Sequence, residues 1–263
     1  MGIFRARTPT EIELERLARQ EQKFMERAGN RQEPHINRLL NEKVPEKLRD
    51  VLDAAFIKAF VLVFEKGTAV IEKTYDRDKL EKGYLADSYA AEVKGDRRSL
   101  RVFSQKAGNS GRKNLLLSGS SGIGLGVLGV GIPDIPLFTG LMLKGIYEIA
   151  LQYGFEYDSD GERCFILLLI QGALSYGEEI RPIDREINAY IVSGQRPPQW
   201  KAEELIRRTA GCLADELLYM KFLQGIPLIG AVGGAYDAVY MKRILAYAEL
   251  KYRRRFYYGR RKG

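Results

Sequence analysis

Four carboxylates could do chemistry in this sequence: Asp134, Glu148, Glu162 and Asp237. Paired acids of this kind can activate water, with or without a divalent metal such as magnesium, so a hydrolase is the reaction class to weigh. Asp134 is the only charged residue between Lys113 and Lys144, and Asp237 is the isolated acid of a second apolar stretch, Gln224 to Tyr247. Neither has a His, Ser or Cys partner in a recognisable catalytic arrangement. Asp134 lies between Pro133 and Pro136 at a helix start, where a short acid caps free amides at low cost. Asp237 has Lys242 and Arg243 nearby as ion partners. Structural roles outweigh catalytic ones for these acids, and the chain is read as non-enzymatic.

Other catalytic signals fail on context. Gly124-Leu125-Gly126-Val127-Leu128-Gly129 matches the dinucleotide-binding glycine fingerprint, but Pro133 and Pro136 interrupt the helix that would have to hold a pyrophosphate. Gly119-Ser120-Ser121-Gly122 lacks the spacing of a nucleophile elbow, and there is no Gly-Lys-Ser/Thr phosphate loop. The single histidine, His35, stands in a polar linker, and Cys164 and Cys212 belong to no paired motif. No metal site and no cofactor are therefore expected. Both cysteines read as reduced core residues, which fits a cytoplasmic protein, and the first ten residues hold no secretory signal.

The remaining chemistry is binding. The chain has 42 basic and 34 acidic residues, a balance of +8. Lys251, Arg253, Arg254, Arg255, Arg260, Arg261 and Lys262 supply seven of those charges, with no acid after Glu249. Phe256, Tyr257 and Tyr258 are interleaved with them. Such a segment suits an anionic membrane surface, where cations meet headgroups and rings settle at their level. Nucleic acid is the weaker alternative, through phosphate contacts and stacking. Direct extension from an apolar hairpin favours the membrane.

The elements that position these residues all read as helices. Thr8-Pro9-Thr10-Glu11 has the form of a capping box opening a mostly charged helix to about Ala28, with a thin stripe of Ile12, Leu14, Leu17 and Phe24. Residues 1–43 are read as a peripheral arm and linker, residues 44–258 as one helical domain, and residues 251–263 as a basic aromatic tail. Pro45 opens an amphipathic helix, and Asp76 to Val93 and Arg97 to Lys106 read as two more polar ones. Ser159-Asp160-Gly161-Glu162 spells a second capping box before Cys164 to Ile170, a run that is apolar on nearly every side and too short to span a bilayer. A short helix from Pro182 stops near Gly194, and Arg196 to Trp200 makes a corner before a further amphipathic helix.

Two stretches share a design. Aligning Pro133 with Pro227 matches Gly131 with Gly225, Ile132 with Ile226, Ile135 with Ile229, Gly140 with Gly234 and Tyr153 with Tyr247. In each, an apolar helix meets an Ile-Pro corner and returns as another helix, a duplicated αα-hairpin. Glycine costs about 1 kcal/mol against alanine within a helix, so these glycines need a reason, and close backbone approach supplies one. Gly122 with Gly126, and Gly230 with Gly234, have the four-residue spacing that bares one helix face. With Pro133, Pro136 and Pro227 they are the expected packing residues. Soluble packing of these faces is favoured over insertion in lipid.

These residues resemble the EcsC family of bacterial proteins over about Val44 to Tyr258. The resemblance rests on the Gly-rich run into Ile132-Pro133-Asp134-Ile135-Pro136, on Tyr153-Gly154-Phe155, on Glu162 to Leu167, and on Ile226 to Ala235 leading to Tyr240 and a basic end. It implies a cytoplasmic, membrane-associated protein, the family's namesake being encoded beside an ABC transporter that affects protein export and competence. It implies no catalytic residues. Together these readings give an all-α, multi-helix bundle with two Gly/Pro-rich hairpins. The expected role is a membrane-surface accessory or scaffold protein at the inner face of the cell membrane. Its expected partners are an anionic membrane surface or a membrane transporter, with a second copy of the chain left open.

Overall fold

A long C-terminal helix packs against five of the other described helices. The computed structural model describes residues 7–30, 46–67, 76–94, 96–107, 135–224 and 233–262. All regular structure among these residues is helical, so the all-α bundle read from the sequence holds. The helices are α1 (Pro9–Gly29), α2 (Glu46–Leu62, continued by a π turn, Val63–Gly67), α3 (Arg77–Lys94) and α4 (97–107). They continue as α5 (Ile135–Gln152), α6 (Asp160–Leu174), α7 (Ile180–Ser193), α8 (Ala202–Gln224) and α9 (Gly233–Lys262). Helix α9 touches α1, α5, α6, α7 and α8, while α2 pairs with α8 and α5.

Local sequence explains several boundaries. Thr8 accepts from the Glu11 amide and the Glu11 carboxylate accepts from the Thr8 amide, so both halves of the first capping box form. Only half of the second forms: Ser159 accepts from the Glu162 amide at 3.2 Å, while the Glu162 side chain turns inward. Gly194, at φ 70°, ends α7 in the left-handed conformation that glycine adopts without steric cost. Helix α6 is buried from Cys164 to Leu174, as its all-round apolar pattern requires. Cys164 donates weakly to the Trp200 carbonyl, and burial pushes its thiol above the usual range. Burial first, then nearby acids, push the Cys212 thiol up to about 11, so both are poor nucleophiles.

Close approach through glycine does occur, at positions other than those expected. A methyl group on Gly145 of α5 would stand 2.7 Å from Leu245, and one on Gly172 of α6 would stand 2.8 Å from the Tyr247 ring. Both contacts are with α9, so the missing side chains seat that helix against its neighbours. Gly122, Gly126, Pro133, Asp134, Pro227 and Gly230 lie outside the described residues, and so does His35. Pro136 is exposed in the first turn of α5, while Gly234 and Asp237 fall in the first turns of α9.

Helix α1 departs from the peripheral arm expected of it. Leu17 and Ala28 are buried, and Phe24 stacks on Tyr247 with ring centroids 4.9 Å apart. Glu13 and Glu21 are buried too, because their partners are cations elsewhere in the fold. Glu13 accepts from Arg97 of α4 at 2.9 Å, and Glu21 accepts from α9. Among the described residues, no helix is long and apolar enough to cross a membrane.

Candidate functional site

Residues 251–262, expected as a tail, are the last turns of α9, and most of their side chains have partners within the fold. Lys251 is 1% exposed. Its ammonium group donates to Glu21 of α1 at 3.1 Å and to Asn188 of α7 at 3.0 Å, and stands 2.7 Å from Asp184 of α7. Three acceptors meet three N–H donors, which fully satisfies the group. Arg254 pairs with the other oxygen of Glu21, and the Tyr247 hydroxyl donates to Asp184 at 2.6 Å. Burial, and then the Asp184 carboxylate, push that phenol well above its ordinary value, so it stays a donor. Two cations balance two acids across three helices.

A second network lies further along α9. The Glu162 carboxylate, at the start of α6, accepts from the Tyr252 hydroxyl and from Arg255, each at 2.6 Å. Tyr252 is fully buried, and burial followed by the Glu162 charge raises its pKa well above the usual value. The Arg255 guanidinium lies 4.2 Å from the Phe155 ring centroid and 5.3 Å from those of Phe165 and Tyr190. Burial alone would lower its pKa, but Glu162 opposes this and holds it above the ordinary range. Gly154, at φ 79°, turns the chain so that Phe155 reaches this cage, and the Tyr84 ring fills the space where a side chain on Gly154 would stand.

The other residues expected to contact a membrane or anion divide by exposure. Tyr257 is buried, sharing a 2.6 Å hydrogen bond with Ser104 of α4, and Phe256 stacks on Phe103. Arg253 lies beside Glu249, and Tyr258 is half-buried with Arg254 over its ring at 5.4 Å. Arg260 donates to the Ser88 carbonyl at 3.2 Å and hydroxyl at 3.1 Å, while Arg261 is exposed. The side chain of Lys262 lies outside the description. Only the end of the segment therefore presents cations outward. A stacking array for nucleic-acid bases would need Phe256 and Tyr257 free, and both rings are interior.

Next to Arg260 a cleft of about 690 Å³ opens between α3, the Tyr153-Gly154-Phe155 turn and the last turns of α9. Arg255 and Arg260 line it beside Phe155, Phe256 and Tyr258, with Glu92 and Ser88 on the α3 wall. The cleft combines aromatic surface with two guanidinium groups, Arg255 already paired with Glu162 and Arg260 donating to Ser88. Neither Glu148 nor Glu162 lines it. Glu148 is buried and lies 3.9 Å from Lys144, one turn before it. Among the described residues, no group of three or more His, Cys, Asp or Glu side chains is placed to hold a metal ion. Glu21 and Asp184, the acids that receive the basic segment, had no local signal to single them out.

Comparison with known proteins gives a consistent family assignment. The model of the EcsC protein family matches residues 11–256. The protein named Protein EcsC from Bacillus subtilis (strain 168) is 24% identical over 198 residues, covering 74% of this chain and 73% of that protein. No solved structure matches.

Proposed function

The chain belongs to the EcsC protein family, whose model covers nearly all of it, and from that premise we propose that it is a non-enzymatic accessory or scaffold protein. It binds the anionic inner face of a membrane peripherally and serves a membrane transporter there. The observation that carries the non-enzymatic half is the engagement of Glu162: both of its oxygens are committed to Tyr252 and Arg255 in the interior. An acid held this way anchors helices and is not poised to activate water. The membrane half is supported by the +8 charge balance and by Arg260 and Arg261 at the outer end of α9.

Sedimentation with vesicles tests this reading. The full chain is expected to pellet with phosphatidylglycerol-containing vesicles at low salt and not with pure phosphatidylcholine. Binding should weaken between about 0.05 and 0.5 M salt as screening shortens the reach of the charges. Equal recovery with neutral lipid, or displacement from acidic vesicles by short DNA or RNA, would overturn it.

A further inference from the structure

We propose that α1 is a displaceable cover: anionic lipid takes its place on α9, and the side of α9 that its release bares is the surface that binds the membrane. The inference rests on the membrane-surface reading above and names how that contact is controlled. The buried stripe of α1, Glu13, Leu17, Glu21 and Ala28, follows helical spacing and is half carboxylate. Opposite it stand cations. Lys251 and Arg254 of α9 meet Glu21, Arg253 meets Gln20, and Arg97 of α4 meets Glu13. Glu11 and Glu15 border Arg261 at the other end of the seam. Carboxylates of α1 therefore occupy the places that lipid phosphates would take.

The seam is also incompletely bonded. The Nε groups of Arg253 and Arg254 are buried and meet no acceptor. A buried N–H without an acceptor is unfavourable, and water or a phosphate oxygen supplies one when the seam opens. The apolar part of α1's contact is small, Leu17 and Ala28 with Leu14 and Phe24 partly buried. Helix α9 itself stays in place when α1 leaves. Leu245 and Tyr247 remain seated against Gly145 and Gly172, and Lys251 keeps Asp184 and Asn188.

Charge on α9 selects the occupant. Residues 249–262 hold seven bases and one acid, Glu249, which lies 3.8 Å from Arg253. Outside α1, Asp184 answers Lys251, Glu162 answers Arg255, and Glu92 of α3 lines the cleft beside Arg260. Those four acids against seven bases leave an excess of three positive charges before α1 docks. Arg253 and Arg260, and likewise Arg254 and Arg261, are seven residues apart, so the bared cations continue the outer ones along one side of the helix. Two such pairs, each spanning about 10 Å of helix, match an array of headgroups better than a single small anion.

Amide exchange and vesicle sedimentation of the full chain test this together. With phosphatidylglycerol-containing vesicles at low salt, amides from Ile12 to Ala28 should lose protection while those of α6 keep it, and neutral vesicles should change neither. Leu17→Ala removes apolar contact and no charge. It should bind acidic vesicles about tenfold more tightly, because apparent affinity follows the released fraction. Glu21→Gln should gain about threefold more than Glu15→Gln, which changes net charge equally at a position that is 45% exposed. A parent chain bound to acidic vesicles with α1 still protected, or Leu17→Ala binding no better than the parent, would reject the cover and leave the membrane reading standing. Failure of both the parent and Leu17→Ala to bind any vesicle would reject the two together. Loss of α1 protection with short DNA or RNA but not with vesicles would assign the bared face to nucleic acid and overturn the lipid proposal.

Discussion

Lys251→Ala is expected to lower folding stability by about 3–5 kcal/mol, the range for removing one member of a buried ion pair. For a chain of this length, the melting temperature should fall by roughly 10 °C. The substitution removes an ammonium group that is 1% exposed and leaves Glu21 and Asp184 facing each other across the gap. Arg254 still reaches Glu21, but Asp184 retains only Tyr247 and Asn188 as neutral donors. Arg7→Ala supplies the contrast, because its pair with Glu15 is 66% and 45% exposed and should be worth less than about 1 kcal/mol. Thermal unfolding of the two variants side by side checks the claim. Equal small shifts would mean that Lys251 is solvated.

Glu162→Gln is the second large effect, a loss of about 2–4 kcal/mol with no loss of lipid binding by the folded protein. The amide keeps the shape and can still accept from Tyr252, but it takes away the charge that compensates Arg255. That guanidinium is then held among Phe155, Phe165 and Tyr190 with only ring faces for counter-charge. The cost is less than for Lys251 because the Arg255 side chain keeps 22% exposure and can draw on water. Denaturant unfolding gives the stability, and vesicle sedimentation of the same variant gives the function. Unchanged stability with a lost activity would reverse the reading and make Glu162 a reacting group.

Sequence legibility followed the range of the interaction. The Thr8 box needs only Glu11, three residues away, and the sequence shows both halves. The buried run Cys164 to Ile170 and the stop at Gly194 are similarly local, and the structure has both. The fate of the basic segment depended on contacts no window contains. Lys251 meets Glu21 across 230 positions and Tyr252 meets Glu162 across 90, so the sequence alone showed unmatched charge where the fold has neutral networks. The same gap explains α1: its acids looked solvated because their partners lie on α4 and α9. At Ser159 the local pattern was complete, yet Glu162 left the box for a stronger pair of donors.

Two further differences have the same origin. Close approach through glycine occurs at Gly145 and Gly172, each set by one side chain of α9, whereas Gly122, Gly126 and Gly230, singled out by their spacing, lie outside the described residues. Leu85, Tyr89 and Val93 recur every four residues in a helix that reads as polar, and that spacing alone does not say which side faces the core. Only the packing of Tyr84 and Ala91 shows that the core took the other side.

Amide hydrogen exchange of the unaltered protein tests most directly the claim that the basic C-terminal segment is an internal strut. Amides from about Tyr247 to Tyr257 should exchange only through global unfolding, as slowly as those of the buried helix α6. Exchange of residues 251–257 within seconds, while α6 remains protected, would show a detachable tail and contradict the account.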